Sequence, residues 1–143
     1  MKKRVKLAAV ALAFSVLTSA AQAAEPLALQ GVMKDLGKHM QTTAGAIAYE
    51  DWELVAGTAP LIAAHPQPPA SEKARIISYM GSNMGKFKDF DMHTHEAAHE
   101  LQHAAHEKNG MEVVAAFHKL QASCLACHQA FRKPFVEHFY GKQ

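Results

Sequence analysis

Cys124-Leu125-Ala126-Cys127-His128 contains both cysteines of this 143-residue chain. A C-x-x-C-H run is the pattern in which two thiols add to the vinyl groups of a haem as thioethers and the adjacent histidine ligates the iron. The spacing suits a helix. Residues three apart lie about 60° from one another around a helix axis, so both sulfurs share a face and His128 follows beside the second. The implied chemistry is that of iron: passing one electron, or binding a small gas.

Other readings of the same residues carry less. A C-x-x-C pair beside a βαβ pattern reads as a thioredoxin-like redox site, but no such pattern surrounds these cysteines. In an oxidising compartment the pair could form a plain disulfide. Two cysteines and one histidine fall short of the four ligands that a structural zinc site takes.

Residues 1–23 read as a cleaved secretory signal peptide and 24–143 as the mature haem domain. Lys2, Lys3, Arg4 and Lys6 form a basic start, Leu7 to Leu17 an apolar stretch, and Ala21-Gln22-Ala23 an A-x-A cleavage site. The apolar stretch is too short to span a bilayer. Removing those four basic residues from the 15 Lys+Arg of the chain leaves 11 against 13 Asp+Glu, a formal net charge of −2 in place of +2. The basic balance therefore belongs to the targeting segment and gives no support for a nucleic-acid partner. A periplasmic location without stable membrane insertion is expected.

The remainder is long enough for one domain with one core. It is rich in Ala, Leu, Met, Lys and Glu, and shows no alternating strand pattern. A first helix is expected from near Pro26 to Thr43–Gly45, where Leu29, Val32, Met33, Leu36 and Met40 form an apolar stripe. Gly31 and Gly37 either weaken it or admit a close neighbour. A second runs from about Ile47 or Tyr49 to Ala64, kinked or broken at Pro60. His65-Pro66-Gln67-Pro68-Pro69 is a connector, and a short helix follows from Ser71 to Met80. Gly81, Ser82, Asn83 and Gly85 loosen the chain before a third long helix over Asp91 to Lys108, capped by Asn109-Gly110. The last long helix spans Met111 to about Arg132, where Pro134 ends or bends it before a short tail. Four amphipathic helices joined this way make an all-α, antiparallel four-helix bundle with a covalent haem on the C-terminal helix.

With these elements in place the chain resembles the class II c-type cytochromes, the cytochrome c′ and cytochrome c-556 family. The resemblance rests on the four-helix pattern, the C-terminal run Cys124-Leu-Ala-Cys127-His128-Gln-Ala-Phe131-Arg132, and Val32-Met33-Lys34-Asp35-Leu36-Gly37-Lys38-His39-Met40 on the first helix. It implies one haem c held by Cys124 and Cys127, with His128 as the proximal iron ligand and Arg132 near the proximal haem face. Met33 falls at the family's distal position. In the c-556 branch that residue is a ligating Met. In the c′ branch it is an apolar side chain over an open iron site. An Arg one turn earlier often reaches a haem propionate in this family; Leu29 stands there instead.

The resemblance therefore implies an electron carrier with His128 and Met33 both on iron, serving periplasmic redox partner proteins. The other branch implies a five-coordinate haem protein binding NO or CO, with Met33 packing only. Homodimerisation is common in the c′ branch. Met33 is equally a gap-filling core residue by spacing alone, as Met often is. Met40 and His39 are weaker ligand candidates, and Trp52 and Phe131 read as core contacts more than haem contacts.

Ten histidines in 143 residues is a high count. His95, His99 and His106 fall within about 40° on a helix, with His103 about 40° further on, opposite Ala97, Leu101, Ala104 and Ala105. The stripe reads as a solvated face, with adventitious binding of zinc, copper or nickel as the alternative. No G-x-S-x-G elbow, phosphate loop or H-E-x-x-H helix is present, and Ser123 has no triad partners, so no enzymatic activity is expected beyond what a haem alone brings.

Overall fold

The computed structural model describes residues 26–141, all of whose regular structure is helical. The expected signal peptide lies outside the described residues. The elements are α1 (Ala28–Ala48), α2 (Trp52–Ala63), α3 (Ala70–Met80), α4 (Met84–His106), α5 (Gly110–Cys127) and α6 (Lys133–Tyr140). The helices α1, α2, α4 and α5 form a four-helix bundle; α2 packs on α1 and α4, and α4 packs on α5. No helix among the described residues is long and apolar enough to cross a membrane.

Two tight turns of the same design set the bundle. After α1, Glu50 takes a left-handed φ of 56°. The Asp51 amide then donates to Ala46 O at 2.9 Å and the Glu50 amide to Ile47 O at 3.1 Å. After α4, Lys108 takes φ 53°, and the Asn109 and Lys108 amides donate to Ala104 O and Ala105 O at 3.2 and 3.0 Å. Both are Schellman closures that satisfy the last carbonyls of a helix. The residue that ends one helix then starts the next. Asp51 accepts from the Leu54 amide at 3.0 Å and Asn109 from the Glu112 amide at 3.4 Å, each capping a new N-terminus. Asn109 thus opens α5, and the left-handed position expected of Asn109-Gly110 falls to Lys108. Gly110 is small for a different reason: a Cβ there would lie 3.2 Å from the Trp52 ring. That contact ties the starts of α2 and α5 together, and Trp52 packs on the bundle core as a plain core residue.

Apolar burial falls into two clusters. The larger is mostly alanine: Ala46, Ala56, Ala59, Ala63, Ala97, Ala98, Ala104, Ala105 and Ala116 surround Val55, Ile62, Leu101, Val113 and Leu120. The smaller joins Leu27, Ile76, Met80, Phe135 and Phe139, from both ends of the described chain and from α3. Glu72 on α3 supports this joint by accepting from the Ala28 amide at 2.9 and 2.8 Å, a negative charge on the exposed start of α1.

Three expectations need correction. The helix expected from Asp91 begins seven residues earlier, at Met84, after a single 3-10 turn over Gly81–Asn83. Met84 and Phe87 pack on the second cluster, and this packing outweighs the low helix propensity of Gly85. Pro60 does not break α2, which runs through it to Ala63, and the Ala64 amide donates to Pro60 O at 2.8 Å. Gly31 and Gly37 admit no close neighbour, since a Cβ at either would meet nothing within 4 Å.

Candidate functional site

The C-x-x-C-H residues occupy the end of α5, where regular helix gives way. Cys124 and Cys127 lie in its last turn, and His128 begins a π-helical turn over His128–Arg132 that leads into α6. Pro134 explains the change of register. It has no amide to give Ala130 O, and its ring would crowd that carbonyl in an α-helix. The wider turn relieves both, and such π turns occur often at functional sites. The chain therefore continues through Pro134 instead of ending there.

Both cysteines are half-buried and unpaired. Burial pushes the Cys124 thiol up, partly offset by a hydrogen bond from Ser123. Burial pushes Cys127 up as well, helped by the nearby charges of Asp91 and Cys124. A working dithiol redox pair needs a depressed thiol that presents a thiolate; these thiols go the other way. His128 is held below its ordinary value by burial and then by the Arg132 guanidinium. It is therefore neutral at pH 7, the form in which imidazole ligates a metal.

Burial thins toward this end along three helices. On α5, Val113, Ala116 and Leu120 are fully covered, and Cys124 and Cys127 are not. On α4, Ala97 to Ala105 supply core residues, whereas Phe87, Phe90, Asp91 and Thr94 are half-buried. On α1, Thr43 and Ala46 are buried, Leu36 and Met40 are half-buried, and Met33 is 41% exposed. The helices α1 and α5 touch only lightly. Leu36 and Met40 of the α1 stripe and Cys124 of α5 all pack on the larger cluster. Leu29, one turn before Met33, packs on the second cluster. It is an apolar contact and cannot serve as an anion ligand.

The surrounding walls are aromatic. Phe131 meets Phe87 and Phe90 edge-on, with ring centroids 5.6 and 5.9 Å apart, and Lys86 stands 5.8 Å over the Phe90 ring. Beside Cys124 the hydroxyls of Ser123 and Thr94 lie 3.1 Å apart across α5 and α4. Arg132 is exposed at the end of the π turn. Two half-buried thiols, a neutral imidazole and neighbouring aromatic rings fit a planar apolar macrocycle with a central metal.

The histidine stripe does not hold together. His93, His99, His103 and His106 are exposed as expected, but His95 is half-buried. It turns toward Asp91 and toward His65 of the connector, with the two imidazole centroids 5.2 Å apart. His65 and Asp91 were not singled out as site residues from sequence. The available signal was Asp91 one helical turn before His95; the partner, 30 residues from His95 in sequence, leaves no local pattern. A groove between Glu100, His103, Glu107, Glu112 and Lys119 lies toward the hairpin turns, away from the cysteines.

Comparison with known proteins finds a family model, described as Cytochrome C′, matching residues 25–132. No curated protein matches the chain.

Proposed function

The chain belongs to the Cytochrome C′ family, and from that premise we propose a periplasmic, five-coordinate haem protein that binds NO or CO. As a member it is a c-type cytochrome with covalently bound haem c. In this reading Cys124 and Cys127 form the thioethers and His128 holds the iron from the proximal side. When bound, the haem supplies an iron centre that can change oxidation state and accept a diatomic ligand.

The residues of the chain have separable tasks. Cys124 and Cys127 fix the macrocycle to the end of α5, so it moves with the α4–α5 hairpin. His128 presents a neutral nitrogen, and the Arg132 charge beside it opposes protonation of that nitrogen. Phe87, Phe90 and Phe131 exclude water. Met33 on α1 would cover the side of the haem away from His128. What supports this reading is the match of residues 25–132 to the Cytochrome C′ family, together with half-buried C-x-x-C-H residues at the end of α5 and an exposed Met33 on α1, a helix that packs only lightly on α5.

A second reading keeps Met33 as sixth ligand and the protein as a single-electron carrier for periplasmic redox partners. It draws on Met33 being exposed on α1, at the position where the c-556 branch carries a ligating Met. Met/His ligation raises the reduction potential and leaves no open iron site. The visible spectrum of the purified haem protein decides between them. The expected result is a high-spin spectrum that shifts as soon as NO or CO is added. A low-spin spectrum indifferent to CO, and converted to high-spin in Met33→Ala, would replace gas binding with electron transfer.

A further inference from the structure

His65, Asp91 and His95 converge where the proline-rich connector crosses α4. His65 Nε2 lies 3.1 Å from Asp91 Oδ1, and His95 Nε2 lies 3.6 Å from Asp91 Oδ2. One ligand atom from each residue falls within 4.8 Å of the other two. We infer that these three side chains bind one divalent transition cation, with zinc the default occupant.

Four features point to a cation instead of a plain ion pair. The donor set is two imidazoles and a carboxylate, which suits zinc, copper or nickel. In a tetrahedral site with bonds of about 2.0–2.1 Å, ligand atoms stand about 3.3 Å apart; the two imidazoles stand near that distance from the carboxylate, 3.1 and 3.6 Å, each from a different Asp91 oxygen. His95 Nε2 is buried without a hydrogen-bond partner. Its distance from Asp91 is too long for a hydrogen bond, and an orphaned buried nitrogen costs about 1–3 kcal/mol. A shared cation would satisfy it. Finally, His65 Nδ1 lies 3.3 Å from Pro66 O. Donation there leaves Nε2 with its lone pair aimed at Asp91, the arrangement by which metal-bound histidines are oriented.

The ion pair alone explains less. It accounts for His65, whose side chain is only 8% exposed. It gives no reason for His95 to leave the exposed stripe and direct a ring nitrogen at a carboxylate already in use. The site involves neither His99, His103 nor His106, so it differs from any adventitious chelation by that stripe.

The test is a zinc titration of the haem-loaded protein against a chromophoric chelator, with both cysteine thiols consumed. The expected result is one equivalent bound with Kd below about 1 µM. His95→Ala should weaken that equivalent by about 100-fold or more, while a triple His99→Ala, His103→Ala, His106→Ala variant retains it. Circular dichroism checks that His95→Ala keeps its helix. If it does not, His65→Gln, on a connector with no helix to lose, gives the same reading. The inference is overturned if wild-type protein binds no equivalent tighter than about 10 µM. It is overturned equally if both single variants bind as wild type, or if only the triple variant loses binding.

Discussion

The hairpin end of the bundle and the cysteine end are packed from different materials. At the hairpin end alanines from four helices meet around Val55, Leu101, Val113 and Leu120, each fully covered. Alanine lets helix backbones approach closely and leaves little space between them. At the other end Phe87, Phe90, Phe131, Phe135, Tyr79 and Phe139 meet edge-on or tilted; Phe135 and Phe139 are buried, whereas Tyr79, Phe87, Phe90 and Phe131 are only half-buried. The site begins where the alanines stop on α1, α4 and α5. Toward the cysteines small buried side chains give way to large half-buried ones, and α5 itself gives way to the π turn.

The sharpest test of that contrast removes the proposed attachment. Cys124→Ser with Cys127→Ser should abolish covalent haem, seen as loss of haem stain on a denaturing gel. Amide hydrogen exchange should then quicken over 124–140 while 97–105 and 113–120 stay protected. Equal loosening of both regions would show that the two ends are one cooperative unit. Next in size, Leu101→Ala opens a cavity among alanines that cannot close over it, and should cost about 3 kcal/mol in urea unfolding. A cost below about 1 kcal/mol would mean that the hairpin end is less tightly filled than its burial implies. Gly110→Ala places a methyl 3.2 Å from Trp52. It should cost about 1–2 kcal/mol and shift the Trp52 fluorescence, as overpacking in a tight contact does. The smallest effect belongs to the other end. Glu72→Gln removes the charge from the start of α1 and should cost about 0.5 kcal/mol, with faster exchange at Ala28 and none of the change reaching Leu101.

The bundle itself was legible because its signals are local. The stripe through Leu29, Leu36 and Met40, the opposed face Ala97–Leu101–Ala104–Ala105 and the C-x-x-C-H run each lie within a few helical turns. Boundaries were less legible where tertiary contact overrode propensity. Gly81, Ser82, Asn83 and Gly85 read as a break, yet Met84 and Phe87 find partners on α6 and the preceding π turn and draw the helix back to Met84. The π turn was not legible, since Pro134 alone says that an α-helix is disturbed and not how. The pairing of His65 with Asp91 and His95 was hidden for a third reason. It joins a connector to a helix across 26 and 30 residues, and no periodicity records such a meeting.

The chain also brings its two described ends together. Leu27 precedes α1, Phe139 and Tyr140 close α6, and all belong to the second cluster. Their contacts span more than a hundred residues, so closing them costs chain entropy that the hairpins, built from neighbours, avoid. The alanine end can consequently assemble early in folding from α1–α2 and α4–α5 alone. The aromatic end must wait until the last residues arrive. The chain would then offer Cys124 and Cys127 on a formed α5, before the ends have met and while the way between α1 and α5 is still wide. The order of folding would thus keep a door open for the cofactor, and the meeting of Leu27 with Phe139 and Tyr140 would shut it.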